Sequence, residues 1–418
     1  MKYFILFLLL FSCSVEYPPI KIDKIAINQI VDKYIENESL AVLHVYLEKF
    51  DGTPLYSNSR QDFSYIGDFV DENTWFRVWS MSKIVTISLA LDLIEDGVIS
   101  MEDDVSLYVP QFKNLKIAKG PNGESLNEWN PDQDLCPIIE DEVEYTMTIR
   151  DLFNHKAGFY YSTTSEYCLN DLIASKNLAS STDSDDFIKR LSELPLIQKP
   201  GDKFWYGINT TVLGFVLEKA TGKSLNELLY ERIVDPFNIK GFAYKIEEGV
   251  NLMPVFATGE DSKFRLANDG ELDIFGKNVP SYEKDNKLYL GGEGMIATTN
   301  GYADFLRIIL NDGELDGKRL LNKSSIKEMS SPQTQIDNVY GYNGYNLWVT
   351  GKKYKEDGKG DEGLWTGGGY EGTHYWIDRK RGFVGLIMTQ IFDENGLVDR
   401  LRDDIRGEIY KEIFKNEE

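Results

Sequence analysis

Ser80-Met81-Ser82-Lys83 sets a hydroxyl and an amine three residues apart. Residues at that spacing share one face of a helix, so the amine can reach the hydroxyl. At a helix start, the partial positive charge of the N-terminus favours a neutral amine and an incipient alkoxide. A neutral lysine can take the serine proton, whereas a charged one cannot. The chemistry this pair can do is nucleophilic attack on an acyl carbon. The same spacing recurs at Ser281–Lys284 and Ser324–Lys327, so spacing alone does not select a site. Ser281 lies in a stretch rich in Pro and Asn with no apolar helix after it. Ser324 opens a polar helix behind Asn322-Lys323, where capping is a sufficient role. Only Ser80 stands between an aromatic-apolar run, Trp75-Phe76-Arg77-Val78-Trp79, and an apolar helix. That setting holds a side chain rigidly at the rim of a core.

The elements that must carry this pair can be read from periodicity. Lys83–Glu95 is a strongly apolar helix stopped by Gly97. Before it come a helix over Ile25–Tyr34, a strand over Ala41–Lys49, a turn at Asp51-Gly52 and a second strand near Leu55–Ser57. Asn114–Glu144 is polar and acidic. Helical patterns follow at Ile149–Asn154, Asp186–Leu194, Thr211–Ala220, Leu225–Ile233, Asn300–Leu310 and Lys323–Met329. Asn346–Thr350, His374–Ile377 and Phe383–Gln390 read as strands, the last two joined by a turn at Arg379–Gly382. Val398–Phe414 closes as an amphipathic helix. The expected fold class is α/β. An antiparallel sheet is built from both chain ends and flanked by terminal helices, with a mostly helical lobe inserted over roughly 105–285.

Composition narrows the chemistry. The chain has 418 residues, 45 Lys+Arg against 68 Asp+Glu, and a net charge of −23. Nucleic acid is not expected as a partner, because a phosphate backbone needs a basic surface. Three Cys and three His leave little for a metal site, and no metal or cofactor is expected. His44, His155 and His374 all read as structural. Gly367-x-Gly369-x-x-Gly372 spells a dinucleotide fingerprint, but a strand pattern follows it instead of a helix, so it is rejected. There is no G-x-S-x-G elbow.

The start of the chain reads as an export signal. A charged start, Met1-Lys2-Tyr3, precedes the apolar run Phe4–Phe11, which is too short to span a bilayer. Leu10-Phe11-Ser12-Cys13 resembles a bacterial lipobox. The expectation is a signal over 1–12, lipidation at Cys13, a tether over 13–27 and a folded domain over 28–418. The protein would sit in the cell envelope, touching membrane only through its lipid. Cys136 and Cys168 are then a candidate disulfide in an oxidising compartment, with two unpaired thiols an equal alternative. The oligomeric state is not legible.

Phe76-Arg77-Val78-Trp79-Ser80-Met81-Ser82-Lys83, then Leu93–Ser100 and Asp103-Asp104-Val105, resemble the nucleophile segment of serine β-lactamase-like hydrolases. That group includes class C β-lactamases, penicillin-binding carboxypeptidases and family VIII esterases. Thr148–Phe159, Pro200–Tyr206 and Gly372–Asp378 resemble further segments of the group, in the same order. The resemblance covers nearly all of the chain after about residue 28. It implies that Tyr206 faces Ser80 and Lys83 and shares in proton transfer. The family's asparagine two residues after that tyrosine is replaced by Ile208. Asn209 follows, as a substrate contact or as the N-cap of a helix over Thr210–Ala220. The third family motif, a base followed by Thr or Gly and then Gly, matches Gly367-Gly368-Gly369, with no base. By the same resemblance, Gly368 and Gly369 bring backbone close to substrate. The N–H groups of Ser80 and Tyr370 would form the oxyanion hole.

The function expected is an exported serine hydrolase working through an acyl-enzyme on carboxylic esters, with lactones or amides within reach of the same chemistry. The missing base counts against carboxylate-bearing substrates. The rival readings are a D-amino-acid peptidase or weak β-lactamase, and a catalytically idle binding protein of the same fold.

Overall fold

The computed structural model describes residues 17–120, 123, 126, 139–163, 168–246, 249–268, 271, 274–275, 282–337, 340–393 and 395–417. The expectations for Cys13, for the Cys136–Cys168 pairing and for Ser281 lie outside the described residues.

Helix α1 (Lys24–Glu36) is capped by Asp23, whose carboxylate accepts the N–H groups of Ile25 and Ala26 at 3.0 Å. It leads into hairpin β1 (Val42–Lys49) and β2 (Pro54–Gln61), turned at Gly52 with φ +82°. Helix α2 (Ser82–Glu95) follows, then α3 (Asn209–Thr221) and α4 (Thr299–Leu310). Strands β3 (Thr334–Asp337), β4 (Gly341–Asn343), β5 (Trp348–Thr350), β6 (Trp365–Gly368), β7 (His374–Asp378) and β8 (Phe383–Met388) precede the closing helix α5 (Leu397–Glu417).

The sheet runs β3-β4-β5-β6-β7-β8-β1-β2 with every neighbouring pair antiparallel. The two chain ends meet where Leu386 of β8 lies opposite Tyr46 of β1. Alternation along β7 shows what covers each face. Tyr375 packs its ring on Tyr302 of α4, centroids 5.7 Å apart. His374, one residue earlier, meets Arg406 of α5 at 3.1 Å on the opposite face. Helix α1 joins α5 there, with Tyr34 donating to Asp404 at 2.9 Å.

A separate three-stranded sheet sets the nucleophile segment. Trp75–Arg77 pairs with Ile296–Thr298, which also pairs with Phe242–Ala243. This fixes the start of α2 against the residues just before Ile296.

Two expectations are corrected. The tether over 13–27 is too long, since α1 starts at Lys24 and the Tyr17 ring packs 4.9 Å from that of Phe50. The helix read over Leu225–Ile233 ends at Leu229 and continues as a π-helical turn over Tyr230–Val234. Among the described residues, no helix is long and apolar enough to cross a membrane.

Candidate active site

Trp79 holds a left-handed φ of +46°, an uncommon conformation for a bulky residue. Packing enforces it. The indole is fully buried and meets the Tyr370 ring edge-on, with centroids 5.4 Å apart. Ser80 follows in a single 3₁₀ turn, Trp79–Met81, directly before α2. Tyr302 of α4 donates to Met81 O at 2.8 Å, and Ser82 Oγ accepts the Met295 N–H at 3.1 Å. The turn is therefore held on both flanks while the Ser80 side chain stays half-buried.

Lys83 Nζ lies 3.1 Å from Ser80 Oγ, as the three-residue spacing requires. The Tyr206 hydroxyl donates to the same Oγ at 2.8 Å, and Lys83 Nζ sits 4.9 Å from the Tyr206 ring centroid. Tyr206 is brought there by a loop that needs Gly207. A Cβ at that position would lie 2.1 Å from Phe159 O. Behind Tyr206, His155 presents its ring at 4.8 Å. His155 Nδ1 accepts from Gly207 N–H at 3.3 Å and faces the Asn209 amide at 3.1 Å, so its proton is on Nε2, toward Asn346 Oδ1. Burial and the Lys83 charge hold this imidazole down to about 3, so it is neutral and structural. Asn209 is fully buried, with its amide turned inward to His155, Phe159 O and Trp205 O. It is not the helix cap, since α3 begins at Asn209 and its N-cap is Ile208, with no side-chain cap. Ser324 is likewise no cap, because its helix, Lys323–Met329, is preceded by Asn322 at the N-cap position.

Sequence reasoning missed Glu293. Its side chain is fully buried, and its Oε1 lies 3.4 Å from Lys83 Nζ. Lys83 also donates to Gly292 O at 2.9 Å. Tyr161 donates to Glu293 Oε1, and Thr211 donates to Oε2 at 2.5 Å. Burial and the Glu293 charge push the Tyr161 hydroxyl well above its ordinary range. The carrier is Gly291-Gly292-Glu293-Gly294. A Cβ on Gly291 would lie 2.9 Å from Thr210 O, and one on Gly294 would lie 2.8 Å from Leu290 N. An acidic residue bracketed by glycines was the available signal, since glycines permit the close approach that buries it.

The glycine motif brings backbone to the nucleophile. A Cβ on Gly369 would lie 2.6 Å from Val78 O, which puts Tyr370 beside the Trp79–Ser80 turn. Gly368 faces the other side of the sheet, where a Cβ would meet the Arg402 guanidinium at 2.8 Å. At Gly367, the position of the family's base, the Tyr375 ring fills the space, 2.5 Å from where a Cβ would stand. Two arginines near this segment in sequence or space, Arg379 and Arg77, are engaged elsewhere. Arg379 pairs with Asp312, and Arg77 donates to Met253 O at 2.8 Å. Gln390 ties the two walls together, accepting from Arg77 N–H at 2.8 Å and donating to buried Glu371. Burial pushes the Glu371 carboxyl up to about 7, against the pull of the Arg77 charge and of the Gln390 donor.

A serine, a lysine and a tyrosine gathered beside an antiparallel sheet covered on both faces by helices define the class of β-lactamase-fold serine hydrolases and acyltransferases. Residues 63–407 match the family model described as Beta-lactamase, and the chain belongs to that family. It is 24% identical to Protein Rv1367c of Mycobacterium tuberculosis over 67% of this chain and 65% of that protein, so the match spans less than two thirds of that relative. It is 25% identical to Lovastatin esterase of Penicillium rubens, over 79% of this chain and 84% of that one. Among solved structures, it superposes on EstCE1, a hydrolase with promiscuous acyltransferase activity, with a TM-score of 0.73 and 18% identity, covering 92% of this chain and 97% of that one.

Proposed function

We propose that the protein is an exported esterase in which Ser80 forms an acyl-enzyme. The observation that carries this reading is the placement of Ser80 Oγ between Lys83 Nζ at 3.1 Å and the Tyr206 hydroxyl at 2.8 Å. The Lys83–Tyr206 pair takes the Ser80 proton as Oγ bonds to the acyl carbon. The carbonyl electrons move to oxygen, which the N–H groups of Ser80 and Tyr370 stabilise. The ester C–O bond then breaks, and the departing alkoxide takes the proton back from the pair. Water repeats the sequence. Its oxygen joins the acyl carbon, its proton passes through the pair to Ser80 Oγ, and the carboxylic acid leaves.

Neutral esters are the favoured substrates. The Tyr375 ring excludes a base at Gly367, so a substrate carboxylate has no cation from that motif, and the net charge of −23 adds a repulsion screened beyond about 8–10 Å. Likeness to Lovastatin esterase supports the ester reading. Export with lipidation at Cys13 rests on the charged start and the apolar run Phe4–Phe11. Comparison of kcat/KM for a neutral acyl ester and for nitrocefin tests the substrate class. The ester is expected to be favoured by about tenfold to hundredfold, the worth of one charge-assisted hydrogen bond. A cephalosporin rate at or above the ester rate would overturn it in favour of a lactamase or peptidase.

A further inference from the structure

Glu293 is a buried carboxylate that belongs to none of the sequence motifs, yet it reaches the amine of the site. We infer that Glu293 is a positioning residue that anchors Lys83 against Ser80. The inference rests on the roles proposed above for those two residues.

The geometry carries the anchoring. Three oxygens surround Lys83 Nζ: Ser80 Oγ at 3.1 Å, Gly292 O at 2.9 Å and Glu293 Oε1 at 3.4 Å. A lysine has four rotatable bonds and would otherwise sample several positions. With two contacts fixed on Gly292 and Glu293, the remaining direction of the amine points at Ser80, and the entropy of alignment is met before substrate arrives. Glu293 is itself pinned. Thr211 donates to its Oε2 and accepts the Gly292 N–H at 2.9 Å, so carboxylate and carbonyl form one rigid unit on α3.

The partners of the carboxylate agree with this role. Lys83 is the cation at ion-pair distance from Glu293 among the described residues, 3.4 Å away. The other side chains on that carboxylate, the Tyr161 and Thr211 hydroxyls, hold it in place.

The test is kcat and KM on a neutral ester for wild type and Glu293→Gln. kcat is expected to fall at least about tenfold, with KM changed far less, because a loosened amine affects the chemical step. Fluorophosphonate labelling, mapped to the modified peptide, counts the active sites, so kcat is read per active molecule even if part of the variant is unfolded. Tyr161→Phe is the second variant. It removes a donor that pins Glu293, and it is expected to lower kcat by less than Glu293→Gln does, again with KM nearly unchanged. An unchanged kcat, or a loss carried by KM alone, in Glu293→Gln overturns the inference. If that variant yields no folded protein, an unchanged kcat in Tyr161→Phe does so. Absence of label at Ser80 in wild type defeats the enzyme reading itself, whereas a labelled Ser80 with an unchanged kcat in the variant defeats only the role of Glu293.

Discussion

The Tyr375 ring occupies the space of a side chain at Gly367, with its Cε1 2.5 Å from where a Cβ would stand. The glycine is therefore a steric requirement of the neighbouring strand as well as the loss of a base. Gly367→Lys is expected to destabilise the protein by about 1–3 kcal/mol, the range for overpacking a filled site. It should bring no gain in nitrocefin hydrolysis. Urea unfolding and nitrocefin turnover measure the two effects. A stable variant with raised cephalosporin activity would contradict the steric account.

Tyr206 donates 2.8 Å to Ser80 Oγ across 126 residues of chain. Tyr206→Phe keeps the ring on Lys83 and His155 but removes the proton. Its kcat on a neutral ester is expected to fall roughly 100-fold or more while KM stays within a few-fold. Steady-state kinetics with matched circular dichroism spectra test this. Unchanged kcat would remove Tyr206 from the proton path.

Glu371 lies fully buried beneath the glycine loop with its carboxyl held up to about 7 by burial. A folded value above the ordinary 4.5 means that the folded state binds the proton more tightly. The associated stability is fully present below about pH 4.5 and is lost as pH rises through about 7. Glu371→Gln is expected to flatten that decline, with a gain relative to wild type of up to about 3 kcal/mol on going from pH 4.5 to 8. Urea titrations across that range read it. Parallel curves for the two proteins would show that Glu371 does not titrate there.

The three histidines are all buried, and none should titrate near its ordinary value. Burial holds His44 down to about 4, burial and the Lys83 charge hold His155 down to about 3, and burial with the Arg406 and Arg402 charges holds His374 well below its usual range. With folded values depressed, the stability they carry is present above about 6.5 and lost as pH falls toward 4 and 3. The imidazole carbon-bound proton signals are expected to stay fixed from pH 8 to 5. A signal moving with a midpoint near 6.5 would contradict the burial of that ring.

Much of the site was legible because its parts are local. Ser80 and Lys83 share one helical turn, and the helix itself was readable from the apolar run after Lys83. The sheet of both chain ends followed from strands at residues 41–57 and 346–390. Strand β6 was not assigned, because Trp365-Thr366-Gly367-Gly368 has little side-chain pattern and its pairing is fixed by β5 and β7. Glu293 escapes the sequence because its one local signal, the glycines on either side, does not name its partner Lys83, 210 residues away. Asn209 was read as a substrate contact or a cap, and the structure turns its amide to His155, a partner 54 residues back. Long-range pairing of polar groups leaves no periodic trace, whereas apolar burial does.

The central claim is that Ser80 carries the acyl group. Intact-protein mass spectrometry after mixing with a slowly turned-over neutral acyl ester, followed by peptide mapping, tests it directly. The predicted result is one acyl mass added to wild type, on the peptide containing Ser80, together with no adduct and no ester turnover in Ser80→Ala. An adduct elsewhere, or wild-type turnover in Ser80→Ala, would contradict it.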